Sequence, residues 1–245
     1  MDKNALTYRL AEPLNGATAA RVDIDAGSGN LRIDRLSDAD HLLATGTLEY
    51  FANQGVPTRT LASSDGLATL TLAGHGIGKP RFHFPWEACN GGTEWQIHLN
   101  PTISSDLNAH SEGGNIQLDL AGMAVTCVLA DTGGGNLDVV LPDKAANLNV
   151  AAKTGAGNVT VEIGYGIAGS SVVTANSGAG NVVVCLPSGV AARIHATVGL
   201  GKTTVDPQFG QAGKDTYQTS DFDSAIDKVD LTVHSGAGNV IVNTR

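Results

Sequence analysis

Gly155-Ala156-Gly157-Asn158-Val159, Gly178-Ala179-Gly180-Asn181-Val182 and Gly236-Ala237-Gly238-Asn239-Val240 are three copies of one phrase. Looser copies read Gly27-Ser28-Gly29-Asn30-Leu31, Gly113-Gly114-Asn115-Ile116, Gly133-Gly134-Gly135-Asn136-Leu137 and Gly199-Leu200-Gly201-Lys202-Thr203. From Asn115 the equivalent position falls at Asn136, Asn158, Asn181 and Lys202, in steps of 21, 22, 23 and 21 residues. A fixed step in that range marks a repeat architecture, each repeat stacking on the last. The phrase therefore predicts an all-β, single-domain β-solenoid, β-helix-like, with coils of about 22 residues.

Outward from each Asn the chain alternates. One residue on stand Leu31, Ile116, Leu137, Val159, Val182, Thr203 and Val240, and three residues on Ile33, Leu118, Val139, Val161, Val184, Val205 and Val242. Between them sit Arg32, Gln117, Asp138, Thr160 and Thr204. Period-two alternation gives a short strand with one buried and one wet face. Val183 and Ile241 break the polar column, which marks a covered or partner-facing surface. A coil of this length has room for a second strand, supplied by Val125–Ala130, Leu148–Ala152, Val172–Ala175 and Ile194–Val198. Leu141-Pro142 and Leu186-Pro187 close the first strand, because proline cannot donate to a ladder. Helical signals are confined to Ser224–Val229.

The glycines and asparagines read as structural turn positions, at Asn30, Asn115, Asn136, Asn158, Asn181 and Asn239, since both residue types tolerate positive φ. Stacked asparagines also offer a hydrogen-bonded ladder. A phosphate loop is the rival reading, but such loops stand once, between a strand and a helix, and here seven copies each precede a strand.

The chain of 245 residues divides into an N-terminal cap segment, 1–20, and a solenoid domain, 21–245. The domain carries an irregular loop at 74–95 and an insertion at 207–222. Asn30 precedes Asn115 by 85 residues, close to four repeat steps, so degenerate coils are expected between them. Strands are expected at 42–48 and 67–72 there. The chain ends in Val240-Ile241-Val242-Asn243-Thr244-Arg245, a strand expected to lie inside the stack or to pair with something.

A net charge of −9 and scattered Lys and Arg argue against nucleic acid or an anionic membrane as partner. The three cysteines, Cys89, Cys127 and Cys185, give no disulfide framework; Cys89 is the one expected to be reactive. No apolar run reaches the roughly 18 residues of a membrane-spanning helix.

Catalysis by a β-helix enzyme acting on polysaccharide needs carboxylates clustered on adjacent coils. Four residues past the Asn the column reads Asp34, Asp119, Val140, Glu162, Cys185, Asp206 and Asn243, so acids alternate with other residues and a solvated stripe is expected. His75, His83, Cys89 and His98 are too widely spaced for a usual zinc site, and no metal or cofactor is expected. The aromatics are the remaining candidates. Trp86 and Trp95, with Tyr50 and Phe51 upstream, offer rings for a sugar or a protein partner. Their alternative role is to plug an open end of the core.

Leu99-Asn100-Pro101 followed by Ile116-Gln117-Leu118-Asp119-Leu120-Ala121-Gly122-Met123 resembles the Leu-Asp-Leu signature of bacterial toast-rack domains. Val198-Gly199-Leu200-Gly201-Lys202, then Tyr217, Ala225 and the terminal Val233–Val242, resembles the tail of the same group. These domains of unknown function occur in LiaF-like and adhesin-like proteins. The resemblance implies a β-solenoid of the cell envelope, commonly attached to N-terminal membrane helices and in some members linked to sensing envelope stress. It offers no catalytic residues. The resulting expectation is a non-enzymatic envelope scaffold or sensor that binds a protein or a cell-wall glycan. A carbohydrate-binding or adhesin-like module is the alternative, and homo-oligomers through exposed strand edges are a further expectation.

Overall fold

The computed structural model describes residues 5–37, 41–74 and 92–245. The N-terminal part forms β1 (Leu6–Pro13), β2 (Ala19–Asp25), β3 (Asn30–Arg35), β4 (Leu42–Tyr50), β5 (Thr58–Ser64), β6 (Leu67–Ala73) and β7 (Glu94–Leu99). The middle forms β8 (Ser104–Ser111), β9 (Ile116–Asp119), β10 (Val125–Thr132), β11 (Leu137–Val140), β12 (Asn149–Ala156), β13 (Val159–Glu162), β14 (Ser170–Ala179) and β15 (Val182–Leu186). The remainder forms β16 (Ala191–Leu200), β17 (Thr203–Val205), β18 (Gly210–Gln211), β19 (Thr216–Gln218), β20 (Lys228–Ala237) and β21 (Val240–Thr244). The fold is all-β, a strand-repeat architecture of two mixed sheets. No helix forms among the described residues, and Ser224–Val229 runs through turn and bend into β20.

From β8 to β15 the chain alternates between the sheets, and each strand lies parallel to the strand two elements later. One strand from each sheet makes a rung. The ten-stranded first sheet runs β1-β4-β7-β3-β9-β11-β13-β15-β21-β17, and the eleven-stranded second sheet β18-β19-β16-β20-β14-β12-β10-β8-β2-β6-β5. Rungs therefore do not follow chain order at the ends. The rung of β16 and β17 stands one place beyond its turn, and the C-terminal rung of β20 and β21 fills the place between it and β14–β15. The last strand is thus inside the stack, with β15 on one side and β17 on the other.

Between Asn30 and Asn115 the structure departs from the expected four coils. Only β6 and β7 make a rung, parallel to β2 and β3, while β4 and β5 run antiparallel on the two sheets. Antiparallel neighbours need only short connections, so these strands lie along the end of the stack without adding full turns.

Registry explains the core. The residues one after each Asn, Leu31, Ile116, Leu137, Val159, Val182 and Val240, are partners across the first sheet and are all buried. From the second sheet, Leu107, Val128, Val150, Val173, Leu231 and Ile194 form a facing column. Beside it Ala109, Ala130, Ala152, Ala175 and Ala196 keep the interior thin. Each buried Val or Leu contributes roughly 1.5–3 kcal/mol, and repetition makes that sum large.

Both ends are finished differently from the middle. Glu12 points inward from the edge strand β1 and is buried, and Arg59 on β5 donates to both its carboxylate oxygens at 3.0 Å. This pair ties the two sheets' edge strands together. At the other end Phe209 and Phe222 are buried, with the Arg193 guanidinium 4.2 Å from the Phe222 ring centre.

Candidate functional site

The corner between the second-sheet and first-sheet strands of each rung is built by the repeated phrase. Strands β12, β14, β16 and β20 run on through the first glycine and end at the residue after it. The tight corner is left to the second glycine and the Asn. None of the six motif asparagines has positive φ. They stand at the corner without it, and they form the ladder that stacking offered: each side-chain carbonyl accepts the backbone N–H of the Asn in the next rung. The chain of bonds runs from Asn30 to Asn115 (2.9 Å), Asn136 (2.8 Å), Asn158 (2.9 Å), Asn181 (2.9 Å) and Asn239 (2.9 Å), ending on the Lys202 N–H (3.1 Å). Lys202 has no acceptor to offer, so the ladder stops at the last rung.

A second ladder escaped sequence reading. Four residues before the Asn stand Ser111, Thr132, Thr154, Ser177 and Ser235, all buried and in register. Their hydroxyls donate to the carbonyls of Gly29 (2.9 Å), Gly114 (2.7 Å), Gly135 (2.8 Å), Gly157 (2.7 Å) and Gly180 (2.8 Å). The signal was present as a hydroxyl residue at a constant offset from each Asn. The glycines are required because the backbones nearly touch: a Cβ on Gly157 would meet the Gly135 carbonyl, and one on Gly180 the Gly157 carbonyl. Two ladders of bonds along one corner hold the rungs in fixed register.

On the outer face of the first sheet one row reads Gln117, Asp138, Thr160, Val183, Ile241 and Thr204 across successive strands. Its second half is a strip of β-branched side chains, and Val183 and Ile241 are half-buried partners within it. In the next row Val140, Glu162 and Cys185 lie side by side. Arg245 borders the strip: its guanidinium bonds Glu162 at 2.8 Å and lies 5.1 Å from the Tyr165 ring centre. Tyr165 itself is exposed. Asp34 contacts both His98 and Arg32, and His110 faces Asp131 at 3.5 Å.

In the column past the Asn, Val140 separates Asp119 from Glu162 and Cys185 follows Glu162; Asp34 and Asp119 stand on adjacent strands, and Asp34 is engaged by His98 and Arg32. No group of three or more His, Cys, Asp or Glu capable of holding a metal occurs among the described residues. Burial pushes both the Cys127 and the Cys185 thiols up, with nearby Asp106 and Glu162 adding to the shift. Cys89, His75 and His83 lie outside the described residues.

The aromatic candidates separate. Trp95 stands in β7, not in a loop; it is buried at 1% exposure and its indole N–H donates to the Glu49 carbonyl at 3.0 Å. Its ring is a core element and offers no face to a sugar. The reason is register: Trp95 is the partner of the inward Leu31, a position that alternation turns to the interior. Tyr50 is half-buried and shares with Trp95, Glu49 and Gln54 a recess of only about 10 Å³. Phe51 is half-buried in the turn after β4. Trp86 lies outside the described residues.

Comparison with known proteins agrees with this architecture. A family model described as the N-terminal domain of toast_rack, DUF2154, matches residues 2–162. No curated protein matches the chain. A candidate cell adhesion protein from Clostridium sporogenes ATCC 15579 is similar over 99% of this chain and 100% of its own, with a TM-score of 0.66 and 20% identity. Candidate adhesins from Bacteroides fragilis NCTC 9343 (TM-score 0.32, 11% identity, 98% of each chain) and Parabacteroides distasonis ATCC 8503 (0.28, 11%, 97% of each) are more distant. The Clostridium protein shares the fold; the other two are too remote to bear on it. Because the family match spans more than half of its length, the chain belongs to the toast_rack N-terminal domain family, DUF2154.

Proposed function

We propose that the protein is a non-enzymatic, adhesin-type binding domain of the cell envelope, and that its ligand lies against the outer face of the first sheet. The observation that carries this reading is the strip of Thr160, Val183, Ile241 and Thr204, with Val140 and Cys185 beside it, on a face whose other half is polar. A β-branched strip held in register by two ladders suits contact with an extended macromolecule, not chemistry on a small one. The surrounding architecture supports a β-solenoid of about 22-residue coils over the regular middle, from β8 to β15, where the step holds. It also supports reading 1–20 as an N-terminal cap segment, 21–245 as the repeat domain and 207–222 as an insertion that closes one end.

The ligand is a protein or a cell-wall glycan, and the experiment separates them. Purified wild-type protein and the Val183→Lys and Ile241→Lys variants would be tested for binding to purified cell-wall glycan and to extracted envelope proteins. Binding to either preparation that both variants lose, with thermal unfolding unchanged, supports the strip as the contact. Equal binding by wild type and variants overturns it. Loss confined to the protein extract favours a scaffold or sensor over a glycan-binding adhesin. Homo-oligomerisation through strand edges has weaker support at three of the four edges: β17 and β18 offer three and two residues, and β1 carries an inward Glu12 and ends in Pro13, whereas β5 presents seven. Shortness, an inward charge and a proline blunt edge pairing.

A further inference from the structure

Beyond the rung of β6 and β7 the first sheet continues with β4 and β1, whereas the second has only β5 among the described residues. The second sheet is therefore one strand short at this end, and β5 is its edge. The strand reads Thr58-Arg59-Thr60-Leu61-Ala62-Ser63-Ser64 and lies antiparallel on β6 along all seven residues. It lacks the features that blunt the other edges: it holds no proline, and its one charge, Arg59, is turned to Glu12. The open backbone groups follow from the other neighbour of β6. The Gly74 N–H donates to the Asp25 carbonyl and the Ala19 N–H to the Gly66 carbonyl, so Ala68, Leu70 and Leu72 turn their N–H and C=O toward β2. Leu67, Thr69, Thr71 and Ala73 turn theirs toward β5, where they meet Ser64, Ala62, Thr60 and Thr58. Arg59, Leu61 and Ser63 are left pointing outward, with three N–H donors and three carbonyl acceptors at alternate residues.

We infer that this edge binds an extended segment of a partner protein, which adds to the second sheet as an antiparallel strand beside β5. The occupant follows from the groups that are open: a row of backbone donors and acceptors at this spacing is matched by another backbone in extended form. The place is one strand wide. A second copy that set its own β5 there would bring its β4 and β1 against β1 of the first. The side chains state the rest of the chemistry. Leu61 shares the inward row of buried Leu70 and packs on the core, so the segment carries an apolar residue across from it. Arg59 excludes a cation across from itself, and the outward Thr60 and Ala62 favour small or hydroxyl residues. The sequence of β5 itself, run antiparallel about Leu61, meets these terms, with Leu opposite Leu61 and Arg opposite Ser63.

The test adds that sequence, as a capped seven-residue peptide, to the full-length protein and follows the amide resonances of β5. The peptide is used at about 2 mM, since a strand this short is expected to bind with a Kd of about 1 mM. The Arg59, Leu61 and Ser63 amides are expected to shift and to gain protection from hydrogen exchange, while Thr60 and Ala62, already bonded to β6, change little. The same peptide with proline in place of its leucine, and the Ser63→Pro protein, are each expected to lose about ten-fold in affinity. Ser63 has its N–H on the open side, so this proline costs β5 no bond to β6 and the unfolding midpoint stays. If Ser63→Pro does not fold, the proline peptide carries the comparison. No shift at Arg59, Leu61 and Ser63, equal binding by the proline peptide or by folded Ser63→Pro, or amides already protected in the protein alone overturns the proposal. Val183→Lys and Ile241→Lys leave this binding unchanged, which separates it from the contact on the first sheet.

Discussion

Asn158 sits in the middle of the asparagine ladder, accepting from Asn181 and donating to Asn136, and its value is that of a repeated small bond. Asn158→Ala removes one acceptor at an exposed corner, and urea denaturation is expected to show a loss of about 1 kcal/mol. Asn158→Asp keeps the acceptor and should lose less. Thr154 contributes more per residue because it is buried: Thr154→Val leaves the Gly135 carbonyl without its hydroxyl partner and is expected to cost about 1–3 kcal/mol. Gly157→Ala should be worse than either, since its φ is +154° and its Cβ would run into the Gly135 carbonyl. A ranking in which Asn158→Ala is the most damaging would show that the side-chain ladder, not backbone proximity, sets the rung spacing. The sequence pointed to these positions correctly. It offered the asparagines both as turn formers and as a stacked ladder, because composition cannot distinguish a residue that adopts an unusual φ from one that feeds an acceptor to its neighbour; the structure keeps the ladder without the positive φ.

At the scale of the element, the strands close to the N-terminal end carry the largest single contributions. Trp95 fills the core beneath β4, and Trp95→Ala is expected to cost about 3–5 kcal/mol in denaturant unfolding. The Glu12–Arg59 pair gives that end a pH dependence. Burial pushes the Glu12 carboxyl above its ordinary 4.5, while Arg59 pulls it partly back. The folded state then holds the proton more tightly than the unfolded chain, so the stability owed to Glu12 is greatest below 4.5 and falls as pH rises through the raised value. Measured as the difference between wild type and Glu12→Gln, stability should shift against the wild type between acid and neutral pH. A difference that is flat over that range would mean that the carboxyl titrates as if exposed. The strands themselves were visible in the alternation of Val, Ile and Leu with polar residues. Their partners were not: β4 was as legible as β6, and nothing local tells an antiparallel strand at the end from a rung within the stack, while β5, Thr58–Ser64, carries no apolar alternation and does not read as a strand.

For the whole molecule, fixed register lines up β-branched Thr160, Val183, Ile241 and Thr204 on the outer face of the first sheet, while Leu129 and Val172 are exposed on the second. Val183→Lys and Ile241→Lys should abolish ligand binding while leaving the unfolding midpoint nearly unchanged, because both side chains point away from the core. The thiols give an independent check on how open these faces are. With their titration pushed up by burial, Cys127 and Cys185 should react with iodoacetamide at pH 8 more slowly than a model thiol, as read by mass spectrometry. The repeat step, the inward columns of Leu31 to Val240, the all-β class and the strip at Val183 and Ile241 follow from local chemistry: alternation selects a face, and glycine permits close approach wherever it recurs. Rung order, the burial of Trp95 and the entry of the C-terminal rung between β14–β15 and β16–β17 do not. Every rung carries nearly the same pattern and is compatible with several neighbours, so chain order alone leaves the stacking order undetermined. The choice falls to packing at the two ends, where Glu12 with Arg59 and Phe222 with Arg193 close the stack.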